Sequence, residues 1–236
     1  MSKPVSIVLP TYNEKDTIGL LLGEIARRIS PESEIIVVDD DSPDGTGEIA
    51  SGLAEKDPRI RVLRRKERGL TSALRAGAAA GRHETVIWLD ADFAHPPETI
   101  PALIAADESF DIVVASRYVP GGHDGRKAPI RRWASVALNR IGGFWVGSKI
   151  RDLSSGFVRA RKSVLDSLPF RGTYGDYCIT FLVRAERHGY RIGEIPYTNS
   201  ERERGYSKTG SNPLIFLRYV ILYLRTILKL RKNRNE

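Results

Sequence analysis

The sequence has very little cysteine: Cys178 is the single one among 236 residues, so no disulfide bond can form within the chain. A fold held together by disulfides is therefore excluded, and this cysteine usage suits a reducing cytoplasm. The opening residues MSKPVSIVLP lack the charged segment, apolar stretch and cleavage site of a secretory signal, and they lead directly into a strand-like run. We therefore expect a cytoplasmic protein, and we interpret Cys178 as a core residue.

The sequence also lacks repeats, low-complexity tracts and a long uninterrupted apolar run. Its most apolar segment, 213–230, has 18 residues, which is the lower limit for a membrane span. A cation at the bilayer centre costs roughly 2.5–3.5 kcal/mol. We therefore predict that 211–236 is a basic amphipathic helix on a membrane surface, the alternative being a helix that covers the protein's own core or a dimer partner. The cations that interrupt or follow the segment share one helical face: Arg218, Arg225, Lys229 and Lys232.

The chain is basic, with 37 Lys and Arg against 29 Asp and Glu, a net charge of +8 and a pI near 9.7. This balance favours polyanionic partners, which include nucleic acids, anionic lipids and phosphorylated small molecules. A nucleic-acid-binding module is thus one hypothesis. The sequence contains neither an aromatic-rich sheet motif nor a recognition-helix signature, and we therefore expect no nucleic-acid partner.

Short apolar runs alternate with helical patterns through the first half of the chain. This alternation predicts an α/β fold with a mostly parallel sheet flanked by helices. Beyond a Gly/Pro-rich loop at 120–129, we expect an amphipathic helix at 130–148, a helix at 177–188 and a short strand at 194–197. The first-half strands are predicted at 5–9, 35–38, 60–63, 86–89 and 112–115, and the helices at 18–29, 47–54, 69–80 and 97–106.

Polar residues follow several of these strands at the point where each strand ends. The strand ends lead into the segments 10–14, 39–42, 90–92 and 116–118. Ligands of parallel sheets bind beyond the carboxyl ends of the strands, so these segments predict a binding site at one rim.

Asp90 and Asp92 directly follow a buried strand. Alternate residues at a strand end can direct two carboxylates at one hard cation, and Mg²⁺ or Mn²⁺ prefers such ligands together with substrate phosphates. A cation that bridges a diphosphate would stabilise the charge that develops as a glycosidic bond breaks. The alternative is a turn in which an aspartate caps the next helix.

Two further groups of charged residues belong to this predicted rim. The acidic run 39–41 is either a solvated turn or contains one acceptor for a nucleoside. The basic group would bind phosphates, since arginine presents a fork to phosphate oxygens and lysine a compact charge; it consists of Arg117, Arg131, Arg202 and Lys208.

Six motifs occur in a fixed order: LPTYNE (9–14), VVDDDSPDGT (37–46), DADFAHPPE (90–98), SRYVPGG (116–122), SSGF (154–157) and RERGYSK (202–208). Together they resemble the family 2 glycosyltransferases of the GT-A fold, specifically the branch of dolichol- or polyprenol-phosphate mannosyltransferases. The resemblance covers residues 4–210, which places a catalytic domain at 1–210 and the amphipathic helix at 211–236.

The resemblance implies roles for individual residues. Asp90 and Asp92 would hold the metal, with Ala91 touching the donor. The base and ribose of the nucleotide would be bound by Pro10, Tyr12, Glu14, Val38 and Asp40. The phosphates of donor and acceptor would be met by Arg117, Arg131, Arg202 and Lys208, with Ser207 beside them. The residues implied to be catalytic are Asp90, Asp92, Arg117, Arg202 and Lys208.

The resemblance also implies the reaction and its partners. The donor would be a nucleotide-sugar, GDP-mannose before others, and the acceptor a polyprenyl phosphate, with inversion by direct displacement and with Mg²⁺ or Mn²⁺ as cofactor. A lipid phosphate is already a competent nucleophile, so the demand for a general base relaxes. We expect peripheral association with the cytoplasmic face of a membrane, and a separate membrane subunit is a further candidate partner.

Two positions depart from the family pattern. Ala94 stands where the family usually has glutamine, and Thr180 where it usually has glutamate, with Asp176 nearby. The departures leave alternatives open: a UDP-glucose donor, a saccharide acceptor with Asp176 as general base, or an inactive relative that senses nucleotide.

Overall fold

The computed structural model describes residues 3–199 and 213–233 of the chain. The strands are β1 (Ser6–Thr11), β2 (Glu34–Asp39), β3 (Ile60–Arg64), β4 (Thr85–Trp88), β5 (Ile112–Ser116), β6 (His123–Asp124), β7 (Val158–Arg161), β8 (Ile192–Pro196) and β9 (Thr198–Asn199). The helices are α1 (Ile18–Ala26), α2 (Thr46–Ala54), α3 (Leu70–Ala80), α4 (Ile100–Ala105), α5 (Pro129–Val146), α6 (Lys162–Ser167), α7 (Asp176–Arg187) and α8 (Pro213–Lys232).

Seven of the strands form one sheet in the order β3-β2-β1-β4-β7-β5-β8. Every pairing in it is parallel except those of β7, which runs antiparallel to both β4 and β5. The prediction of a mostly parallel sheet flanked by helices is therefore confirmed. A second, two-stranded sheet pairs β6 with β9.

Strand β7 was missed by the sequence analysis, which predicted no element at 158–161. The strand reads Val-Arg-Ala-Arg, so it lacks the continuous apolar run by which the other central strands were found. Arg159 is nevertheless buried, and its guanidinium donates to the carbonyls of Leu103 and Ala106 at 3.3 and 2.9 Å. A central strand thus tolerates arginine because backbone carbonyls at the end of α4 satisfy the buried donors.

The two faces of the sheet bury separate hydrophobic clusters. Helices α1, α2 and α4 cover one face, where the predicted apolar stripe of α1 is fully buried. Helices α3, α6, α7 and α8 contribute to the cluster on the other face. A Cβ on Gly77 of α3 would lie 2.3 Å from Cγ1 of Val8, so glycine is required where this helix crosses β1.

The predicted helices of the second half are present as α5 and α7, with ends that differ from the prediction by one or two residues. The predicted C-terminal amphipathic helix is present as α8, which packs against both of them. Ile227 and Leu230 of α8 are buried, and Arg187 of α7 donates to the Leu230 carbonyl at 2.8 Å. Helix α8 is therefore attached to the rest of the fold by packing and by a cap on its last carbonyls.

Candidate functional site

A cleft of about 1120 Å³ opens at the carboxyl edge of the sheet. It collects most of the residues that the sequence analysis placed at the rim. These lining residues are Pro10, Tyr12, Glu14, Asp40, Asp90, Ala91, Asp92 and Arg117.

The remaining predicted site residues are not placed in the cleft by the structure. Val38 is fully buried between β1 and α3, where it belongs to the hydrophobic cluster and does not line the cleft. Arg131 lies in the first turns of α5, but its side chain is outside the described part of the chain. Arg202, Ser207 and Lys208 also lie outside the described residues.

The turn after β4 carries the paired carboxylates. Asp92 is 5% exposed, and its Oδ1 accepts the N–H of Ala94 at 3.0 Å, while the side chain of Asp90 is 47% exposed. Phe93, which lies between Asp92 and Ala94 in the chain, has a φ of 62°, in the left-handed region. The Ala91 carbonyl accepts the hydroxyl of Thr17 at 2.8 Å, which ties the turn to the start of α1. Both carboxylates are thus held at the cleft on a fixed turn.

The donor set of this turn fits a divalent cation that is shared with substrate. Among the described residues, no group of three or more His, Cys, Asp or Glu side chains could hold a metal by itself. Two carboxylates are the usual protein contribution to a Mg²⁺ site whose other ligands are water and substrate phosphates. Ala94 offers no side-chain oxygen, so Asp90 and Asp92 are the carboxylates of this turn that would hold the ion.

The acidic run after β2 divides into residues with different roles. Asp39 is fully buried, and its Oδ1 accepts the hydroxyl of Thr11 at 3.1 Å while its Oδ2 accepts the N–H of Ser42 at 3.0 Å. Asp41 is exposed at a φ of 54° and does not line the cleft. Asp40 is the member of the run that reaches it.

Asp40 is fixed by two strong contacts. Arg65 donates to its Oδ1 from Nε at 3.0 Å and from Nη2 at 2.6 Å, and the N–H of Gly69 donates to its Oδ2 at 2.8 Å. Beside it, the guanidinium of Arg68 lies 4.8 Å from the ring centroid of Tyr12, and both side chains line the cleft. This end of the cleft therefore combines an aromatic face with a buried acceptor, an arrangement suited to a nucleoside.

Arg117 is held by a carboxylate that the sequence analysis did not single out. Its Nε and Nη2 donate to Oδ2 and Oδ1 of Asp152 at 2.8 and 2.7 Å, and its Nη2 also reaches the hydroxyl of Ser154 at 2.8 Å. Burial disfavours the charged guanidinium, but the Asp152 carboxylate outweighs it and raises the pKa of Arg117 well above its usual value. Asp152 stands directly before the motif at 154–157, which was the available signal.

Besides Arg68, a further arginine of the cleft was missed by the sequence analysis. Arg126, in the loop before α5, lines the cleft and donates from Nε to Oδ1 of Asp124 at 2.8 Å. Close by, the hydroxyl of Ser135 accepts that of Tyr118 at 2.7 Å. Arg126 and Ser135 therefore add a cation and a hydroxyl to the polar half of the cleft, beside Arg117.

The other half of the cleft is apolar and extends between α5, α7 and α8. It leads from the carboxylates toward the surface of these helices. Characteristic lining residues are Leu138, Ile141, Trp145, Tyr219, Tyr223 and Leu224. One cavity thus joins a charged end, at the sheet, to a long apolar end, at the helices.

Of the two family departures, Ala94 lines the cleft on the turn of the paired carboxylates, whereas Thr180 and its neighbour Asp176 do not line it. Asp176 is buried at the start of α7, where its Oδ1 accepts the backbone N–H groups of Thr173 and Tyr174 at 3.1 and 2.8 Å. Thr180 donates its hydroxyl to the Asp176 carbonyl at 3.0 Å. Neither side chain lines the cleft, so Asp176 organises the preceding loop, while Ala94 does line it.

Cys178 is expected to be inert in the folded protein. Burial raises the pKa of its thiol to about 12, and the reactive species is the thiolate. At pH 8 we expect no measurable reaction with Ellman's reagent over minutes, and release of one thiol per chain when urea is added. Fast labelling before unfolding would contradict the core interpretation.

The outer surfaces of α5 and α8 carry large apolar side chains. On α5, Trp133 is 75% exposed and Phe144 is 84% exposed. We refer to the following residues as the α5/α8 apolar surface: Ile130, Trp133, Ile141, Phe144, Leu217, Ile221, Leu224 and Leu228. Exposed cations accompany the α8 stripe, namely Arg218, Arg225, Lys229 and Lys232. Within the described residues, no helix is both long and apolar enough to cross a bilayer.

The sheet, its single inserted antiparallel strand and the paired carboxylates at its carboxyl edge define a glycosyltransferase of the GT-A type. Residues 6–168 match the sequence model of the family described as Glycosyl transferase family 2. The chain belongs to this family. An enzyme of this class accounts for the acidic rim, which a nucleic-acid-binding module does not.

Three curated proteins are similar to this chain over most of its length. The chain is 38% identical over 217 residues to polyprenol monophosphomannose synthase of Mycolicibacterium smegmatis, covering 87% of this chain and 81% of that protein. It is 37% identical to undecaprenyl-phosphate mannosyltransferase of Micrococcus luteus, covering 86% of each. It is 35% identical to dolichol-phosphate mannosyltransferase of Pyrococcus furiosus, covering 98% of this chain and 65% of that protein.

Solved structures support the fold. Glucosyl-3-phosphoglycerate synthase of Mycobacterium tuberculosis, in complex with Mn²⁺, UDP and glucosyl-3-phosphoglycerate, aligns with a TM-score of 0.73 at 22% identity, covering 98% of this chain and 80% of that chain. The same synthase in complex with Mg²⁺ and UDP gives a TM-score of 0.75 at 22% identity and the same coverage. At this identity the likeness concerns the fold alone.

Proposed function

We propose that this protein transfers mannose from GDP-mannose to a polyprenyl phosphate at a membrane surface, with inversion at the anomeric carbon and with Mg²⁺ or Mn²⁺ as cofactor. The observation that carries the proposal is the single cleft with a charged end and an apolar end. A lipid phosphate is the acceptor whose chemistry matches both ends. The activities named for the curated relatives support the same assignment.

The donor occupies the charged end in this proposal. Tyr12 and Arg68 would enclose the base, and Asp40, held by Arg65, would accept hydrogen bonds from the nucleoside. Asp90 and Asp92 would hold the cation, which when bound supplies positive charge to the diphosphate as the nucleotide leaves. Besides Arg68, the arginines that line the cleft are Arg117 and Arg126, and they are the cations available to the phosphates.

The chemical step is a direct displacement. A phosphate oxygen of the acceptor forms a bond to the anomeric carbon of the sugar, the bond from that carbon to the diphosphate breaks, and the electron pair departs with the nucleoside diphosphate. Because the nucleophile is already anionic, no proton has to be removed by the enzyme. The chain's contribution is then to position both substrates and to exclude water.

The assignment of the cleft carboxylates to the nucleotide and the cation leaves none of them as a general base, which favours an anionic acceptor over a saccharide. A sugar hydroxyl would need a general base beside the anomeric carbon. Among the described lining residues, the carboxylates are Glu14, Asp40, Asp90 and Asp92, all assigned to the nucleotide or the cation. Asp176, the base considered from the sequence, instead accepts the backbone N–H groups of Thr173 and Tyr174, and its side chain does not line the cleft.

The α5/α8 apolar surface supports contact with a membrane. Single exposed apolar residues are ordinary, but large side chains in a stripe flanked by cations are typical of helices that lie in the lipid interface. The apolar end of the cleft lies between the same helices, so a lipid could enter it from the bilayer. We propose peripheral association with the cytoplasmic face, and a membrane subunit that covers this surface is the alternative.

The double substitution Trp133→Ser and Phe144→Ser is expected to weaken binding to vesicles of anionic phospholipid at least about tenfold. Full burial of one such side chain contributes roughly 1.5–3 kcal/mol, and both project from the surface. Co-sedimentation measures the partitioning. The matched control is Leu20→Ser, which removes a side chain that is 58% exposed on α1, over the other face of the sheet. Equal losses in both variants would contradict a membrane role for this surface.

Transfer of labelled sugar into organic-extractable lipid tests the function. The purified protein is incubated with GDP-mannose, UDP-glucose and other nucleotide-sugars in turn, with polyprenyl phosphate and either Mg²⁺ or Mn²⁺. Parallel reactions contain the unphosphorylated polyprenol, a soluble saccharide or a chelator. We expect labelled lipid when GDP-mannose, polyprenyl phosphate and metal are all present in the reaction.

Each other outcome identifies a different error. Labelling from UDP-glucose would correct the donor, and labelling of the saccharide would correct the acceptor. Nucleotide binding without any transfer would indicate an inactive relative that senses nucleotide, or an enzyme that requires a membrane subunit. Adding membranes that contain the subunit would separate the last two.

A further inference from the structure

His95 has no part in the reaction derived above, yet it is buried directly beneath the carboxylates. Its Nδ1 accepts the backbone N–H of Asp90 at 3.0 Å and lies 3.9 Å from Oδ2 of the same residue. We propose that His95 is a positioning residue that sets the affinity of the Asp90–Asp92 turn for its divalent cation. This inference rests on the proposed function, since it assumes that the two carboxylates hold the ion.

The ring of His95 is fixed by its surroundings. It stacks on Phe157 with centroids 5.2 Å apart at 30°, and the ring of Tyr197 lies 6.0 Å away. A Cβ on Gly156 would lie 3.4 Å from its Cε1, so the Gly156 backbone passes close to the imidazole. With the ring immobile, Nδ1 is a fixed acceptor to which the Asp90 peptide is attached.

The hydrogen bond to His95 fixes the first residue of the turn, Asp90, whereas Asp92 forms the bond at the other end. Asp92 holds its own end through the N–H of Ala94 at 3.0 Å. Asp90 is the more exposed carboxylate, and His95 fixes its backbone from the opposite end of the turn. Without this bond, the Asp90 backbone would lose one of the contacts that order it before the ion binds, and any ordering left to the ion would lower affinity. Loss of such a supporting contact typically costs about 10–100-fold in metal affinity.

The variants are chosen to separate the role of His95 as a hydrogen-bond acceptor from the packing of its ring. His95→Asn places an amide oxygen on Cγ, where the imidazole has Nδ1, and keeps the acceptor. His95→Leu fills a similar volume without an acceptor, and His95→Gln moves the oxygen one bond further out. His188→Leu is the matched control, since it removes a histidine whose Nδ1 lies 2.8 Å from the Arg184 carbonyl at the far end of α7.

The experiment is a titration of MnCl₂ into the full chain with and without GDP, in which electron paramagnetic resonance measures free Mn²⁺. We expect His95→Leu and His95→Gln to bind Mn²⁺ about 10–100-fold more weakly, and His95→Asn and His188→Leu to resemble the unmodified protein. In transfer assays, the loss should appear in the KM for metal, with kcat at saturating metal retained.

Two failures can be told apart. If the unmodified protein does not bind Mn²⁺ in the presence of GDP, the proposed metal site is wrong. If it binds and His95→Leu binds equally well, the positioning role is wrong while the proposed function stands. Should the leucine variant not fold, the comparison of His95→Gln with His95→Asn decides the same question.

Discussion

Replacing Asp92 by asparagine is expected to lower the rate of sugar transfer on the order of 10³-fold, as loss of a group that stabilises developing charge does. The asparagine Oδ1 can still accept the N–H of Ala94, so the turn should keep its shape while the negative charge is lost. The expected defect is therefore in cation binding and leaving-group stabilisation. Initial rates across a range of Mg²⁺ concentrations measure it.

Asp41→Asn is the matched control for this experiment. Asp41 is also an aspartate just beyond a strand end, but it is exposed and outside the cleft lining. Its φ of 54° is one that asparagine adopts readily. We expect transfer to be unchanged in this variant. Full activity of Asp92→Asn at low Mg²⁺ would remove Asp92 from the metal site.

Replacing Asp152 by alanine is expected to lower the free energy of unfolding by about 3–5 kcal/mol, because it leaves the buried Arg117 guanidinium without its counter-charge. Two of the side-chain hydrogen bonds of Arg117 go to the Asp152 carboxylate, which is itself fully buried and is the counter-charge of the guanidinium. Urea denaturation followed by circular dichroism measures the loss.

The double variant Arg117→Met with Asp152→Leu separates stability from function. It removes both charges together, so stability should recover most of what the single variant loses. Transfer should remain impaired, since an arginine that lines the cleft is gone. If Asp152→Ala alone unfolds like the unmodified protein, the ion pair is not an important stabilising contact.

The carboxyl-edge site was predictable because the alternation of strands and helices is strong. Once strands are predicted to end at Leu9, Val38 and Leu89, parallel pairing, which the structure has, brings their following loops to one rim. The sequence pattern therefore predicts the acidic turn at 90–92 at this rim, and the structure has it at the cleft. The strand pattern alone did not show which aspartate of 39–41 faces the cleft, and the family resemblance pointed to Asp40. The structure has Asp40 there, held by bonds from Arg65 and Gly69 that are distant in sequence.

The Asp152–Arg117 ion pair and the orientation of α5 depend on contacts between residues distant in sequence, and no local pattern signals them. Asp152 pairs with a residue 35 positions earlier, and no local periodicity signals that contact. The apolar stripe of α5 was visible in the sequence, but the pattern did not indicate whether Trp133 and Phe144 face the core or the outside. The structure places them outside, because the inner face of α5 packs through Gly142 against Ile227 of α8.

The antiparallel strand β7 has a consequence for how the chain reaches this structure. Without β7, the sheet separates into β3-β2-β1-β4 and β5-β8, since β4 and β5 are joined only through it. A ribosome that has released the chain through β5 has therefore produced inner edges of β4 and β5 that stay unpaired until residues near 160 emerge. Exposed apolar edges promote association between chains. The last central strand to be synthesised thus joins the two parts of the sheet and closes the two inner edges at which nascent chains can associate.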